Sequence, residues 1–348
     1  IESDNMARLE TVLKQYDYTV PASLIAQAPA SPRDSARLLV YVRKTGAIQH
    51  DTFRHLTNYL PPRAVLVFNE TKVIPARFTV RKPTGGKAVL LYVRTEGKEI
   101  IAMADRPLPV GETVTLAPRV RFRVVSQEKY ARLAPLFSIA RLPKVLERYG
   151  VTPIPPYIKH TPLSERALRE KYQTVFARRR GSVAAPTASL HFTKRLLRDL
   201  KKAGHDIVFV TLHVNLGTFA PVKEEHWRRG KLHEEWYDIP RAAAVALNRA
   251  KKSGRPIVAV GTTVARTLES AAQNGCGRAG RRTTDLFIRP GYRFAFVDHL
   301  ITNFHVPQSS LLMLVSAFAS RKKILELYQK AMKKRFHFFS FGDGMLMV

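Results

Sequence analysis

The sequence predicts an α/β layered main domain carrying an inserted small antiparallel β-barrel domain, and three observations predict it. At 348 residues the chain exceeds what one hydrophobic core usually serves, so two domains are the natural expectation. Between Ala64 and Phe137 short β-rich runs follow one another, parted by the turn signals PTGGK, EGKE and LPVGE, with little helix between them. From Leu163 onward helical and strand patterns alternate, the mark of helices layered on a sheet. The barrel is accordingly expected over 63–151, inside a discontinuous α/β domain of 6–62 plus 152–348.

In chain order, residues 1–5 before Met6 are kept out of the fold reasoning. In YDYTVPASLIAQAPASPRDSARLLVYVR the prolines Pro21, Pro29 and Pro32 divide an opening strand, a short helix and an extended arm. Leu38 to Val42 reads as a strand, and Phe53, Leu56 and Leu60 suit a short helix ending at Pro61. AVLVFNET, VIPARFTV, KAVLLYVR, EIIAMA, TVTLA, VRFRVV and ARLAPLF supply the barrel strands. A short helix, Arg141 to Tyr149, and the stiff connector VTPIPPYIKH lead back. Helices are then expected at Ser164–Phe176, Lys194–Ala203, Pro240–Ser253, Thr263–Gln273, Ser309–Ala319 and Lys322–Lys333. Strands are expected at Ile207–Leu212, Pro256–Val260, Asp285–Ile288 and Arg293–Asp298.

The charge balance is far from ordinary. Lys+Arg number 58 against 27 Asp+Glu, a net +31, so an anionic partner is implied and nucleic acid comes first. One cysteine, Cys276, rules out an intramolecular disulfide and every multi-cysteine metal site, and suits a reducing compartment. No apolar run approaches membrane-spanning length, and the N-terminus has no signal-peptide pattern, so a cytoplasmic setting without membrane association is expected.

Five segments share one design, small or polar residues with a histidine or glycine at an element end: APTASLHFT, TLHVNLGTFAPV, KLHEEWY, VAVGTTVARTLES and ITNFHVPQSSLLMLVSAFA. In α/β layers, binding residues collect beyond the carboxyl ends of strands, which predicts that His213, Gly261-Thr262-Thr263, Asn303 and His305 converge. The stretch GSVAAPTASLHFT, Gly181 to Thr193, lies between three arginines and a helix start. Thr193 is the expected N-cap, leaving a positive helix end near His191 for an anionic group. His191, His213, His233 and His305 match no metal-ligand spacing, so no metal is expected. Glu234 and Glu235 beside His233 read either as a solvated acidic turn or as a holder of a ligand ammonium. Neither a Walker pattern nor GxGxxG is present.

Long segments in order, YDYTVPASLIAQAP with RDSARLLV, VFNETKVIPAR, GSVAAPTASLHFT, TLHVNLGTFAPV, AVGTTVARTLES, DLFIRPGYRF, DHLITNFHVPQSSLLMLVSAFA and FFSFGDGML, resemble the S-adenosylmethionine:tRNA ribosyltransferase-isomerase family of queuosine biosynthesis, from about Tyr16 to the end. The resemblance implies transfer and isomerisation of the ribosyl unit of S-adenosylmethionine onto a 7-aminomethyl-7-deazaguanine base at the tRNA wobble position, giving epoxyqueuosine and releasing adenine and methionine. A sulfonium acidifies the neighbouring C5′ hydrogens, so a neutral imidazole can act there as general base. His191 or His213 is expected as that base, with Asp298 orienting a histidine. Asn303 and His305 are expected to hold adenine or the sugar. Thr187, Thr262 and Thr263 are expected to bind methionine or ribose, and with Ser189 and Gly261 they complete the site of S-adenosylmethionine, the co-substrate, with no permanently bound cofactor.

The partner implied is the tRNA anticodon stem-loop with its wobble base turned out of the stack. Arg178, Arg179, Arg180, Lys201, Lys202, Arg281 and Arg282 are the expected phosphate contacts of a protein acting as a monomer. Ser189 and Asn215 stand where the family has glycine, and Val264 where it often has serine. Leu232-His233-Glu234-Glu235 replaces Met-His-Ser-Glu. Added Cβ atoms at 189 and 215 would narrow the site. The rival reading is a non-catalytic basic RNA-binding protein on the same scaffold.

Overall fold

The computed structural model describes residues 9–214, 222–273 and 276–348, without the side chains of residues 273 and 276. Two short 3-10 turns, Ala22–Leu24 and Arg33–Ser35, lead into β1 (Arg37–Tyr41) and β2 (Ile48–Thr52). A 3-10 helix, Phe53–Asn58, precedes β3 (Val65–Asn69) and β4 (Thr71–Val73). Next come β5 (Arg77–Arg81), β6 (Lys87–Glu96), β7 (Glu99–Ala104), β8 (Thr113–Ala117), β9 (Val120–Gln127) and β10 (Ala131–Pro135). These six close into an antiparallel barrel, β10-β7-β6-β5-β8-β9. Helix α1 (Leu142–Tyr149) seals it, adding Leu142, Val145 and Leu146 to the barrel core.

The chain then runs through α2 (Glu165–Lys171), β11 (Arg179–Ser182), α3 (Lys194–Lys202), β12 (Asp206–Leu212), α4 (Glu224–Arg229) and β13 (Lys231–Ile239). It continues with α5 (Arg241–Lys252), β14 (Ile257–Val260), α6 (Thr262–Ala271), β15 (Ala272–Gln273), β16 (Cys276–Gly277) and β17 (Gly280–Leu286). It ends with β18 (His299–Asn303), α7 (Ser310–Ala319), α8 (Arg321–Lys333) and β19 (Gly344–Met347).

Nine strands form one mixed sheet in the order β17-β13-β12-β3-β14-β18-β19-β1-β2. Its centre is parallel: β12, β3, β14 and β18 run the same way. Every residue of β3 and β14 is buried, because both faces of a central parallel sheet are covered. The pleat sorts them between two cores. Val65, Val67, Ile257 and Ala259 face the core shared with Leu247, Leu268, Leu312 and Leu327 of α5 to α8. Leu66, Phe68, Val258 and Val260 face Leu196 and Leu200 of α3.

The layered domain and the barrel stand as expected, with four revisions. AVLVFNET is β3, in the middle of the main sheet, and β4 pairs with β11, so the barrel strands start only at Arg77, later than the expected residue 63. A continuous apolar run reads the same for a barrel strand and a buried parallel strand. Arg293–Asp298 is no strand, because the N–H groups of Ala295, Phe296 and Val297 donate to the Glu269 carboxylate instead of to a neighbouring chain. Residues 18–21 form no opening strand, and the helix expected at 164–176 ends at Lys171.

Candidate active site

Because β12, β3, β14 and β18 are parallel neighbours, their carboxyl ends share one edge of the sheet. Asn69, at the end of β3, ties that edge together. Its Nδ2 donates to the Leu212 carbonyl at 2.9 Å and reaches Thr263 Oγ1 at 3.4 Å, while its Oδ1 accepts from the N–H groups of Leu212 and Thr71. Asn69 is not among the expected site residues, and its only mark in the sequence is a polar residue ending an apolar strand.

A cleft opens at this edge, lined by Thr187, Ala188, Gly261, Thr262, Thr263, Asn303 and His305, and by Tyr157, Phe339 and Ser340 opposite. Gly261 has φ +98, a conformation that glycine takes without steric cost, and it precedes α6 without offering a side-chain cap. The first N–H groups of that helix therefore face the cleft with the positive end of its dipole. Asn303 Nδ2 lies 3.3 Å from His191 Nε2, and the buried Asn303 Oδ1 has no hydrogen-bond partner among the described residues.

His191 stands behind Asn303, 4% exposed and stacked on Phe53 with centroids 4.2 Å apart. Gly344 makes that stack possible, since a Cβ there would come within 2.6 Å of the Phe53 ring. Burial, and then the Arg33 guanidinium, push the His191 imidazole down to about 3. His305 is likewise buried and pushed down to about 3, with Nε2 3.3 Å from Thr302 Oγ1 and Nδ1 3.4 Å from the Tyr328 hydroxyl. Tyr18 donates its hydroxyl proton to the His305 carbonyl, fixing the loop from outside. All these imidazoles are neutral near pH 7 because desolvation disfavours the cation.

His213 faces a second, larger space between the barrel and the sheet. That groove encloses about 1660 Å³, open solvent included, against about 580 Å³ for the cleft. Pro75, Val93, Ile139 and Leu142 make its apolar wall, and Arg180, Gly181, His213, Glu234, Trp236 and Thr283 its polar one. The His213 ring lies on Trp236, centroids 4.8 Å apart, and its Nδ1 is 2.7 Å from Thr71 Oγ1. A Cβ on Gly181 would sit 2.8 Å from His213 Nε2, so the glycine leaves that nitrogen its room. Burial first, and Arg179 second, push His213 down to about 4. Its neighbour Val214 lines the cleft, so residues 213–214 stand between the two spaces.

The structure thus gathers Thr187, Gly261, Thr262, Thr263, Asn303 and His305 in one cleft, with His191 behind and His213 beside it. Other expectations need correction. Asp298 precedes β18 and so lies at the opposite edge, about 15 Å from Asn303 at strand rise. There it accepts from Lys251 Nζ at 2.9 Å and from the Ile257 N–H at 2.8 Å, orienting no site histidine. Ser189 is fully buried in the 3-10 helix Thr187–His191 and does not line the cleft. Thr193 caps α3 as expected, but the anion at that helix end is Asp34, bound by Thr193 Oγ1 and Arg195. Val264 packs in the main core and does not line the cleft, and Asn215 lies outside the described residues.

The basic residues divide. Arg180 lines the groove and pairs with Glu147 of α1, while Arg178 and Arg179 reach the buried Glu70 at 3.1 and 3.7 Å. Arg281 stands 5.9 Å over Trp236 and pairs with Asp238, and Arg282 is its neighbour on β17. Lys201 and Lys202 end α3, and Lys201 lies with His205, Asp206 and Val65 at the amino edge of the sheet, away from the cleft. Glu235 is not a solvated turn: it is buried and paired with Arg266. Among the described residues no group of three or more His, Cys, Asp or Glu could hold a metal ion, and no helix is long and apolar enough to cross a membrane.

Comparison with known proteins agrees with this architecture. The family described as "Queuosine biosynthesis protein" matches residues 13–347. Proteins named S-adenosylmethionine:tRNA ribosyltransferase-isomerase are 47% identical in Carboxydothermus hydrogenoformans over 97% of this chain and 99% of that one, and 48% identical in Moorella thermoacetica with the same coverage. The Thermus thermophilus protein of that name is 46% identical over 97% and 99% of the two chains. A crystal structure of S-adenosylmethionine tRNA ribosyltransferase from Thermotoga maritima matches with TM-score 0.56 and 32% identity, covering 96% of this chain and all of that one. With a family match over nearly its whole length and relatives this similar from end to end, the chain belongs to the queuosine biosynthesis family whose members carry the name S-adenosylmethionine:tRNA ribosyltransferase-isomerase.

Proposed function

We propose that the chain transfers and isomerises the ribosyl moiety of S-adenosylmethionine onto the 7-aminomethyl-7-deazaguanine base of tRNA, giving epoxyqueuosine-tRNA with release of adenine and methionine. The observation that carries this reading is the placing of a smaller cleft and a larger groove on either side of one strand end, with His213 and Val214 between them. A small charged nucleoside suits the first space. An extruded nucleobase with its flanking phosphates suits the second.

In this reading His213 is the general base. Its ring is fixed by Trp236 and Thr71, it is neutral at physiological pH, and Gly181 leaves Nε2 accessible from the groove. It takes a C5′ proton made acidic by the adjacent sulfonium. Ring opening expels adenine, the aminomethyl nitrogen attacks the opened sugar, and methionine leaves as the epoxide closes. His191 serves through Asn303, whose free Oδ1 faces the nucleoside, and Tyr157 and Phe339 offer aromatic faces to adenine. Thr187, Thr262, Thr263 and His305 complete the walls.

Arg178 to Arg180 with Arg281 and Arg282 flank the groove and would take the anticodon phosphates. One chain supplies both spaces, which suits a monomer, and tRNA and S-adenosylmethionine as substrates suit a cytoplasmic setting. The test is to incubate the protein with S-adenosylmethionine and tRNA bearing the precursor base and to assay adenine. Release that depends on both substrates is expected. Tight tRNA binding with no adenine released would instead favour the non-catalytic RNA-binding reading.

A further inference from the structure

Arg266 carries chemistry that the proposed reaction leaves unused. Its side chain is buried, its Nη2 pairs with the buried Glu235, and its Nε has no hydrogen-bond partner among the described residues. Burying an ion pair is costly, and two well-packed apolar side chains often do as well or better. Such a pair asks for a reason beyond bracing α6 against β13.

Its position offers one. Arg266 follows Thr262 by four residues and Thr263 by three, so all three share one face of α6, and helical side chains lean toward the N-terminus of their helix. Thr262 and Thr263 line the cleft. Arg266 and Glu235 line a smaller cavity, and both spaces are bounded by Leu311. At the head of the same helix Gly261 provides no cap, leaving N–H groups for an anion. A positive helix end with a guanidinium behind it and a carboxylate beside it fits a zwitterion, an α-amino acid head. Neither charge alone would need both partners.

We propose that the first turn and a half of α6 is the amino-acid end of the site: the methionine carboxylate of S-adenosylmethionine bonds to the N–H groups of Thr262 and Thr263 under the pull of Arg266, and its ammonium faces Glu235. The proposal rests on the reading of the cleft as the S-adenosylmethionine site and fixes which way the molecule lies. Adenine then sits at the far end, by Tyr157 and Phe339. The sulfonium falls between, near Val214 and its neighbour His213.

The test uses calorimetric binding of S-adenosylmethionine, of its decarboxylated analogue and of adenosine to the wild-type protein and to a variant carrying both Arg266→Met and Glu235→Gln. Changing both partners strands no buried charge, and a thermal melt checks that the variant folds; Arg266→Lys serves as the second variant. The wild type should hold S-adenosylmethionine about tenfold or more above the decarboxylated form, as expected for charge-assisted hydrogen bonds. The double variant should lose that preference while keeping adenosine affinity, and Arg266→Lys should keep part of it. A wild type indifferent to the carboxylate, or a folded double variant that retains the preference, overturns the proposal while leaving the cleft assignment intact. No binding of S-adenosylmethionine by the wild type overturns both.

Discussion

The two edges of the parallel strands are built from similar residues and end in opposite states. At the amino edge acids hold bases: Asp298 holds Lys251, and Asp206 holds Arg255 at 2.5 Å. At the carboxyl edge histidines are kept neutral by burial, Gly261 leaves α6 uncapped, and Asn303 Oδ1 is unpaired. The charges of these two pairs are met within the fold, and neither pair lines the cleft. Binding capacity is therefore sought where unspent groups line the cleft, as Asn303 does, and not in unspent groups alone, since His205 Nδ1 and His299 Nδ1 at the amino edge are unpaired among the described residues as well. Asp298 shows the point: it is a conspicuous acid at the opposite end of β18 from Asn303.

The difference between the edges can be broken most severely at His213. His213→Ala should lower kcat by about 10²- to 10⁴-fold, the usual worth of a general base, with S-adenosylmethionine affinity within a few-fold. Single-turnover adenine release and calorimetry measure the two separately, and near-normal turnover ends the assignment. Gly181→Ala should follow the same direction, since its Cβ would press on His213 Nε2 at a backbone φ of +146. Asp298→Asn, at the other edge, should leave kcat untouched and cost about 1 kcal/mol of stability, read as a shift in urea midpoint. A tenfold fall in kcat there would erase the contrast between the edges.

Two smaller effects sharpen it. Arg180→Ala and Arg281→Ala should each weaken tRNA binding and flatten its salt dependence by about one unit of slope, whereas Lys201→Ala and Lys202→Ala should leave the slope nearly unchanged. Equal slopes for all four would mean that the groove is not where RNA lies. The buried imidazoles set the pH response. An unfolded histidine binds a proton below about pH 6.5, while folded His191 and His305 do so only near 3. Their contribution is therefore fully present above about pH 6.5 and lost as pH falls toward 3. Urea midpoints should decline through that window. The acid limb of kcat/KM should lie near the His213 value of about 4, not at 6.5.

Much was legible in the chain. The turn-punctuated β-rich runs announced a barrel, Thr193 announced a helix cap, and the small-residue loops at strand ends announced a cleft. Other features were not. RFAFVD alternates like a strand, yet its N–H groups go to Glu269, a partner some two dozen residues earlier in the chain. AVLVFN fits a barrel strand or a central one equally well, and Asn69 gained meaning only when β12 came to lie beside it. LHEE gave no sign that Glu235 would be buried against Arg266.

What the sequence determined by itself was local and periodic: which stretches are strands or helices, where turns and caps fall, and how strongly basic the molecule is. Those properties depend on neighbours a few residues away. Tertiary structure alone decided that Asp298 faces away from the cleft, that Ser189 is sealed inside, and that His191 and His213 stand on different sides of one wall. Side-chain orientation, burial and pairing depend on chain direction and on contacts between residues more than a hundred positions apart, which no local pattern encodes.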